Sequence, residues 1–164
     1  MVFRSMKMWR LSVTKLLVVV SLLLIIVITT LLIFNNSQPK TEVHFGASVF
    51  NVRVASDSIS RGKGLSAVEN LQPDEGLLMT FQRNDTWGIW MKDMKIPIDI
   101  VWLNSDKKVV YIVTDASPNL STSKTFYPDS PARYVLEISA GTVRRSGIKL
   151  GQTAVINVAG KNLW

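Results

Sequence analysis

Asp99 and Glu137 are the residues in this chain best suited to proton chemistry. Each is a lone acid in an apolar run, Ile98-Asp99-Ile100-Val101-Trp102 and Tyr134-Val135-Leu136-Glu137-Ile138. A carboxylate in such surroundings is either buried against donors or placed for function. If the two converge in a cleft they can act as an acid and a base, the pair that cleaves a glycosidic bond. Lys92 follows Trp90-Met91 and can hold an anionic group, or serve as a base where burial lowers its pKa. Arg61 opens Arg61-Gly62-Lys63-Gly64, which looks like a small phosphate cradle without P-loop spacing. Arg61, Trp90 and Lys92 are therefore the ligand-binding candidates, and Asp99 and Glu137 the catalytic ones. Each has a structural alternative. Asp99 can accept backbone N–H groups at a turn, and Glu137 can be solvated. The Lys92 stem can lie over a sheet with its ammonium in water, and Arg61 can belong to a basic turn at a helix start. Joined together, the same acids and bases would form an internal salt-bridge network. Trp87, Trp90 and Trp102 suit either a core or an aromatic-lined cleft for a sugar or peptide. Arg144-Arg145 with Lys149 reads as a solvated basic face that can approach anionic lipid head groups.

Several chemistries are excluded at once. The chain has no Cys, which removes disulfides, thiolate nucleophiles and Cys-ligated zinc. Its single His, His44, cannot build a His-based metal site or a Ser-His-Asp triad within one chain. No metal and no cofactor is expected. The formal net charge of +7 overstates the basicity of the folded part. Four of the 19 Lys and Arg (Arg4, Lys7, Arg10, Lys15) lie near the N-terminus, leaving 15 against 12 acidic residues, a net of +3. That is an ordinary soluble surface, and nucleic-acid binding is not expected.

The elements that must position these residues begin with a different kind of segment. Leu16–Phe34 is an uninterrupted apolar run without charge. It meets the roughly 20 residues a helix needs to cross a bilayer core. The basic residues before it and Lys40 after it predict the N-terminus inside and the remainder outside. A cleaved signal peptide would have a shorter apolar core and a small-x-small site; Ile33-Phe34-Asn35-Asn36-Ser37-Gln38 offers none. The expected organisation is a cytoplasmic basic tail at 1–15, a transmembrane signal anchor at 16–34, a linker at 35–42 and an extracytoplasmic domain at 43–164. The membrane is a partner through Leu16–Phe34.

In the remaining 125 residues period-2 patterning favours strands. Val43 to Val54 reads as a strand with a phase change near Phe50-Asn51, suggesting a bulge. Ser58 to Asn70 is the best helix candidate, capped by Ser60. Gly76 to Phe81 and Gly88 to Met91 read as strands around a polar loop, and Ile98 to Leu103 pairs with Lys108 to Thr114 as a hairpin. Ala116 to Ser130 reads as a long loop, followed by strands at Tyr134–Ser139 and Thr153–Val158 around a short turn or helix. The expected fold is mainly β (α+β): a strongly bent open sheet or incomplete barrel of about seven short strands with one or two short helices, preceded by one transmembrane helix.

Several spaced segments then stand in a recognisable order. Arg61-Gly62-Lys63-Gly64-Leu65 is followed by Asp74-Glu75-Gly76-Leu77-Leu78 and by Ile89-Trp90-Met91-Lys92-Asp93-Met94-Lys95-Ile96-Pro97-Ile98-Asp99-Ile100. Pro118, Tyr127, Ser130, Tyr134-Val135-Leu136-Glu137, Gly141 and Gly147-Ile148-Lys149-Leu150-Gly151 complete the pattern. Over about Val49 to Val158 the chain resembles the family called domain of unknown function 192. Asp93-Met94 stands where that family has Asn-Thr, and Ser66 where it has Met. The resemblance implies a compact β-rich domain, exported or membrane-anchored, and implies no particular activity. The expected function is a membrane-anchored extracytoplasmic binding or accessory module of unknown ligand. The alternatives are an envelope-polymer hydrolase or lyase using paired carboxylates, or a structural partner of another membrane or envelope protein.

Overall fold

The computed structural model describes residues 2–36, 41–120, 124–158 and 161–162, with side chains described for 13–31, 41–120 and 124–158. It divides into an N-terminal unit, Met1–Gln38, and a second unit, Pro39–Trp164.

The first unit is a helix, α1 (Val2–Asn36). Its stretch Val13–Leu31 is long and apolar enough to cross a membrane. Every residue of that stretch is exposed. By length and composition such a helix suits a membrane anchor or a signal sequence. Its few hydroxyls bond to the helix itself: Ser21 Oγ donates to the Val18 carbonyl at 2.8 Å, and Thr30 Oγ1 to the Ile26 carbonyl at 2.8 Å. Hydroxyls satisfied in this way can face hydrocarbon without an unpaired polar group. Helix begins well before the apolar run and continues to Asn36, into the expected linker; residues 37–40 of that linker, and the side chains of Arg4, Lys7 and Arg10, lie outside the described residues.

The second unit is a mixed open sheet. In chain order it holds β1 (Thr41–Phe45), β2 (Ser48–Ala55), α2 (Ser58–Lys63), β3 (Glu75–Asp85), β4 (Ile89–Trp90), β5 (Ile98–Leu103), β6 (Val109–Ala116), β7 (Thr125–Phe126), β8 (Ala132–Ser139), α3 (Thr142–Ser146), β9 (Val155–Val158) and β10 (Lys161–Asn162). Eight strands form one sheet in the order β10-β9-β1-β2-β3-β8-β5-β6, and β4 pairs with β7 separately. Among the described residues only β2 and β3 run parallel; their crossover contains α2. At its far edges the sheet curls toward itself without closing. Lys108 bridges Thr153, and the Val109 N–H donates to the Gln152 carbonyl at 2.8 Å.

The central strands are buried on both faces, so alternation sends their side chains to two cores. Leu78, Val101, Leu103, Leu136 and Ile138 join Val43, Phe45 and Ile156 on one face. Leu77, Met79, Ile98, Ile100, Trp102 and Val135 take the other, with Leu65 and Met91 above them.

The structure departs from the sequence expectations in several places, one being that β3 runs on through the expected polar loop to Asp85. Val43 to Val54 is not one bulged strand but a hairpin, with Phe45 opposite Ser48 and Gly46 at φ +61° between them. The phase change falls there because a two-residue turn admits the positive φ that glycine supplies. The helix after β2 is one short piece, and its cap is Asp57 rather than Ser60. The Asp57 carboxylate accepts from the Ile59 and Ser60 N–H groups, both at 2.9 Å, and Ser60 completes a capping box. The Ser60 hydroxyl and these amides hold the Asp57 carboxyl below its ordinary value. Gly64, at φ +51°, ends the helix long before Asn70. The loop Ala116 to Ser130 contains β7, which pairs Phe126 with Ile89.

Candidate functional site

The two acidic candidates do not converge. Glu137 and Asp99 lie on adjacent paired strands, but Glu137 is opposite Ile100, and Asp99 is opposite Ile138. Side chains directly opposite in a sheet share a face and successive ones alternate, so the two carboxylates project to opposite faces. Asp99 is fully buried and already occupied. Its Oδ1 accepts from the Asp115 N–H at 2.9 Å and its Oδ2 from the Val143 N–H at 2.8 Å. It ties β5 to the end of β6 and to the first turn of α3, the structural alternative foreseen for it.

Glu137 is buried too, at 3 % exposure, and is not solvated. Its surroundings are different. Oε2 has no hydrogen-bond partner among the described residues, and the Leu65 N–H is the backbone donor acting on the carboxylate. Burial raises its pKa from the ordinary 4.5 to about 7, with the Leu65 amide and the charge of Arg53 opposing. The carboxylate lines a cavity of about 180 Å³ in the second face of the sheet, bounded also by Arg61, Lys63, Met79, Trp90 and Lys92. Of the residues singled out in the sequence, Arg61, Trp90, Lys92 and Glu137 line this one cavity, and Asp99 lies on the other face of the sheet.

Each wall follows from local structure. Leu65 is wholly buried in the second core, and this draws the Gly64-Leu65 backbone down onto Glu137. A Cβ at Gly64 would make only ordinary contact, 3.4 Å from Oε2, but φ is +51° there, so the backbone favours glycine. Arg61 lies at the end of α2 rather than at a helix start. Its guanidinium donates to the Thr80 carbonyl at 3.0 Å and to the Ser56 carbonyl, and covers the Phe81 ring at 4.8 Å. Phe81 in turn stacks on Trp87 at 4.2 Å. Arg61 is thus a clamp between α2 and β3. Met91 is buried while Trp90 and Lys92 face outward, as alternation predicts; Trp90 is 49 % exposed, with the Lys92 ammonium 6.0 Å from its ring centre. Of the three tryptophans Trp102 is core, donating from its indole to the Trp87 carbonyl at 2.8 Å.

Two strained residues lie close in sequence to the lining segments. Ala67 and Asp93 both have positive φ, at 62° and 57°, and the Ala67 N–H donates to the Asp93 carbonyl at 3.1 Å. Asp and Asn tolerate this conformation better than other side chains, so Asp93 meets the backbone requirement that an Asn would. Such strain clusters at functional sites. Sequence reasoning missed Met79, Gly64 and the Leu65 amide. For Gly64 and Leu65 the motif Arg61 to Leu65 was the only signal, and it pointed to phosphate rather than to a contact with Glu137.

Gly76 sets how closely β3 packs on β8, the strand that carries Glu137. A Cβ there would lie 2.7 Å from the Glu137 carbonyl oxygen and 3.0 Å from Ile138. Gly76→Ala should push β3 off β8 and cost about 1–3 kcal/mol, the range for overpacking. Urea denaturation of the variant measures it; an unchanged midpoint would show that the strands separate freely.

Two crystal structures share this fold. One is a protein from Sinorhizobium meliloti 1021 provisionally labelled a transcription regulator, 28 % identical, with a TM-score of 0.66 over 74 % of this chain and 93 % of that one. The other is a protein of unknown function from Novosphingobium aromaticivorans DSM 12444, 30 % identical, with a TM-score of 0.64 over 70 % of this chain and 82 % of that one. A search of curated proteins gave no match. The family model described as "DUF192: Uncharacterized ACR" matches residues 41–156, which is most of the chain, and the protein belongs to that family.

Proposed function

We propose that this protein is a membrane-anchored extracytoplasmic binding module, with its ligand in the Glu137 pocket. One observation carries the reading. A buried carboxylate with an unpartnered oxygen lines an open cavity whose edge bears a half-exposed tryptophan and two exposed lysines. A buried acceptor left unpaired costs about 1–3 kcal/mol or more, which a ligand donor would offset. The paired-carboxylate hydrolase or lyase is the weaker reading, because Asp99 projects away from the pocket with both oxygens engaged. The location rests on Val13–Leu31 and on the basic residues before it, with Lys40 alone close behind.

Two measurements test the reading. Protease added outside intact cells should remove the β domain, and protection of that domain would overturn the location. For binding, the full chain in nanodiscs is titrated with soluble envelope fragments, saccharides and short peptides, and tryptophan fluorescence is followed. A saturable change in the wild type that disappears in Trp90→Ala, with unfolding temperature unaltered, is expected. No response to any fragment would overturn a binding role for the pocket.

A further inference from the structure

We propose that the Glu137 pocket takes a small zwitterion: an ammonium group on a short aliphatic stem, with an anionic group at its other end beside Lys63 and Lys92. The proposal rests on the reading of this cavity as a ligand site and names the chemistry of the occupant.

The floor selects the ammonium. Glu137 is the only acidic side chain among the lining residues, and no lining Ser, Thr, Asn or Gln competes with it as an acceptor. Its Oε2 lacks a donor. Neutral donors satisfy the lone pairs of a buried carboxylate but leave its charge uncompensated, whereas a cation satisfies both. Arg53 acts on the carboxylate through its charge from an exposed position without bonding Oε2, and the cations lining the cavity do not serve either. Arg61 is held by the Ser56 and Thr80 carbonyls, and Lys63 and Lys92 are exposed.

The walls select the stem. Leu65, Met79 and Ile89 are at most 5 % exposed and line the cavity beside Glu137. Methylenes pass such walls at no desolvation cost, and further polar groups would not.

The rim selects the anion. Lys63 and Lys92 lie at the opening with Trp90, so a simple cation would enter against two like charges. A molecule carrying its own anion at the outer end turns that repulsion into attraction. Size agrees. The cavity of about 180 Å³ lies below the roughly 300–1,000 Å³ of pockets for drug-sized ligands. It fits a small metabolite, or the end of one side chain of a peptide.

The test uses three probes of one chain length on the full protein in nanodiscs at pH 8: 6-aminohexanoate, hexylamine and hexanoate. Binding is read by calorimetry and by tryptophan fluorescence. The zwitterion should bind most tightly, hexylamine more weakly and hexanoate not at all. Glu137→Gln should weaken 6-aminohexanoate by roughly 10–100-fold, the worth of one charge-assisted hydrogen bond. Lys63→Ala with Lys92→Ala should narrow the gap between 6-aminohexanoate and hexylamine without unfolding the domain. Nα-acetyl-lysine distinguishes the sources: tighter binding than 6-aminohexanoate indicates a peptide side chain, weaker binding a free small molecule. The inference falls if hexanoate binds as well as the zwitterion, if Glu137→Gln leaves affinity unchanged, or if 6-aminohexanoate does not bind at millimolar concentration. In each of these cases a neutral disaccharide that still changes Trp90 fluorescence would leave the binding-module reading standing; without such a response both fall.

Discussion

Glu137→Gln should make the domain more stable at pH 8 and leave it nearly unchanged at pH 4.5. The sign follows from the pKa. The folded value is raised from 4.5 to about 7. The protonated acid is therefore favoured by the fold, and its contribution is fully present below about pH 4.5. It is lost as pH rises toward and through about 7, because the ionised group must remain buried. At pH 8 the difference is on the order of 3 kcal/mol. Glutamine keeps the shape, carries no charge and removes this dependence. The variant should then melt roughly 10 °C higher than the wild type at pH 8. Thermal unfolding of both proteins across pH 4.5–8, read as the difference between them, cancels the other titrating groups. Parallel curves would show that Glu137 has an ordinary pKa and that something in the fold already compensates it. A carboxylate that destabilises its own domain at neutral pH is not kept for stability, which is why the same residue anchors the proposed site.

Asp99→Ala should do the opposite and nothing to the pocket. Asp99 is fully buried, and its oxygens are the acceptors for the Asp115 and Val143 amides. Removing it strands both N–H groups and leaves a void between β5, β6 and α3. Each buried unpaired donor costs about 1–3 kcal/mol, so the loss should be about 4 kcal/mol. Against a typical total of about 5–15 kcal/mol, that is a large fraction of the stability of one domain. Asp99→Asn keeps one acceptor and should fall between the two. Urea midpoints measure all three proteins, and the Asn variant remains informative if the Ala variant does not fold. A loss of ligand affinity in folded Asp99→Asn, with stability unchanged, would contradict the placement of Asp99 on the face away from the site.

Much of the architecture could be read locally. The charge-free run from Leu16 predicted a long apolar helix because hydrophobicity summed over a helix needs no tertiary partner. Ile98–Leu103 and its hairpin with the following strand were legible from patterning and from the polar Asn104-Ser105-Asp106-Lys107 between them. The boundaries of short elements were not. Gly46 splits one apparent strand into a hairpin, and Gly64 stops a helix six residues after it starts, because a single positive φ outweighs the pattern around it. Two-residue strands such as β7 carry no period at all and exist only through their partner.

The candidate site shows the same division more sharply. By itself the sequence determined the residue types available: no thiol, one histidine, two lone acids in apolar strands, a Trp-Met-Lys segment and an Arg-Gly-Lys-Gly turn. It also determined, through period 2, that Trp90 and Lys92 oppose Met91 and that Glu137 shares a face with Val135. Only the tertiary structure decided which acid meets which neighbours. Asp99 and Glu137 look alike in sequence, and a registry in which Ile100 rather than Asp99 lies opposite Glu137 sends them to different faces. One then meets two amides and becomes a structural tie; the other meets the Gly64-Leu65 backbone and a cavity. Strand pairing and burial are long-range properties, and the charge state and availability of a carboxylate depend on them far more than on its neighbours in the chain.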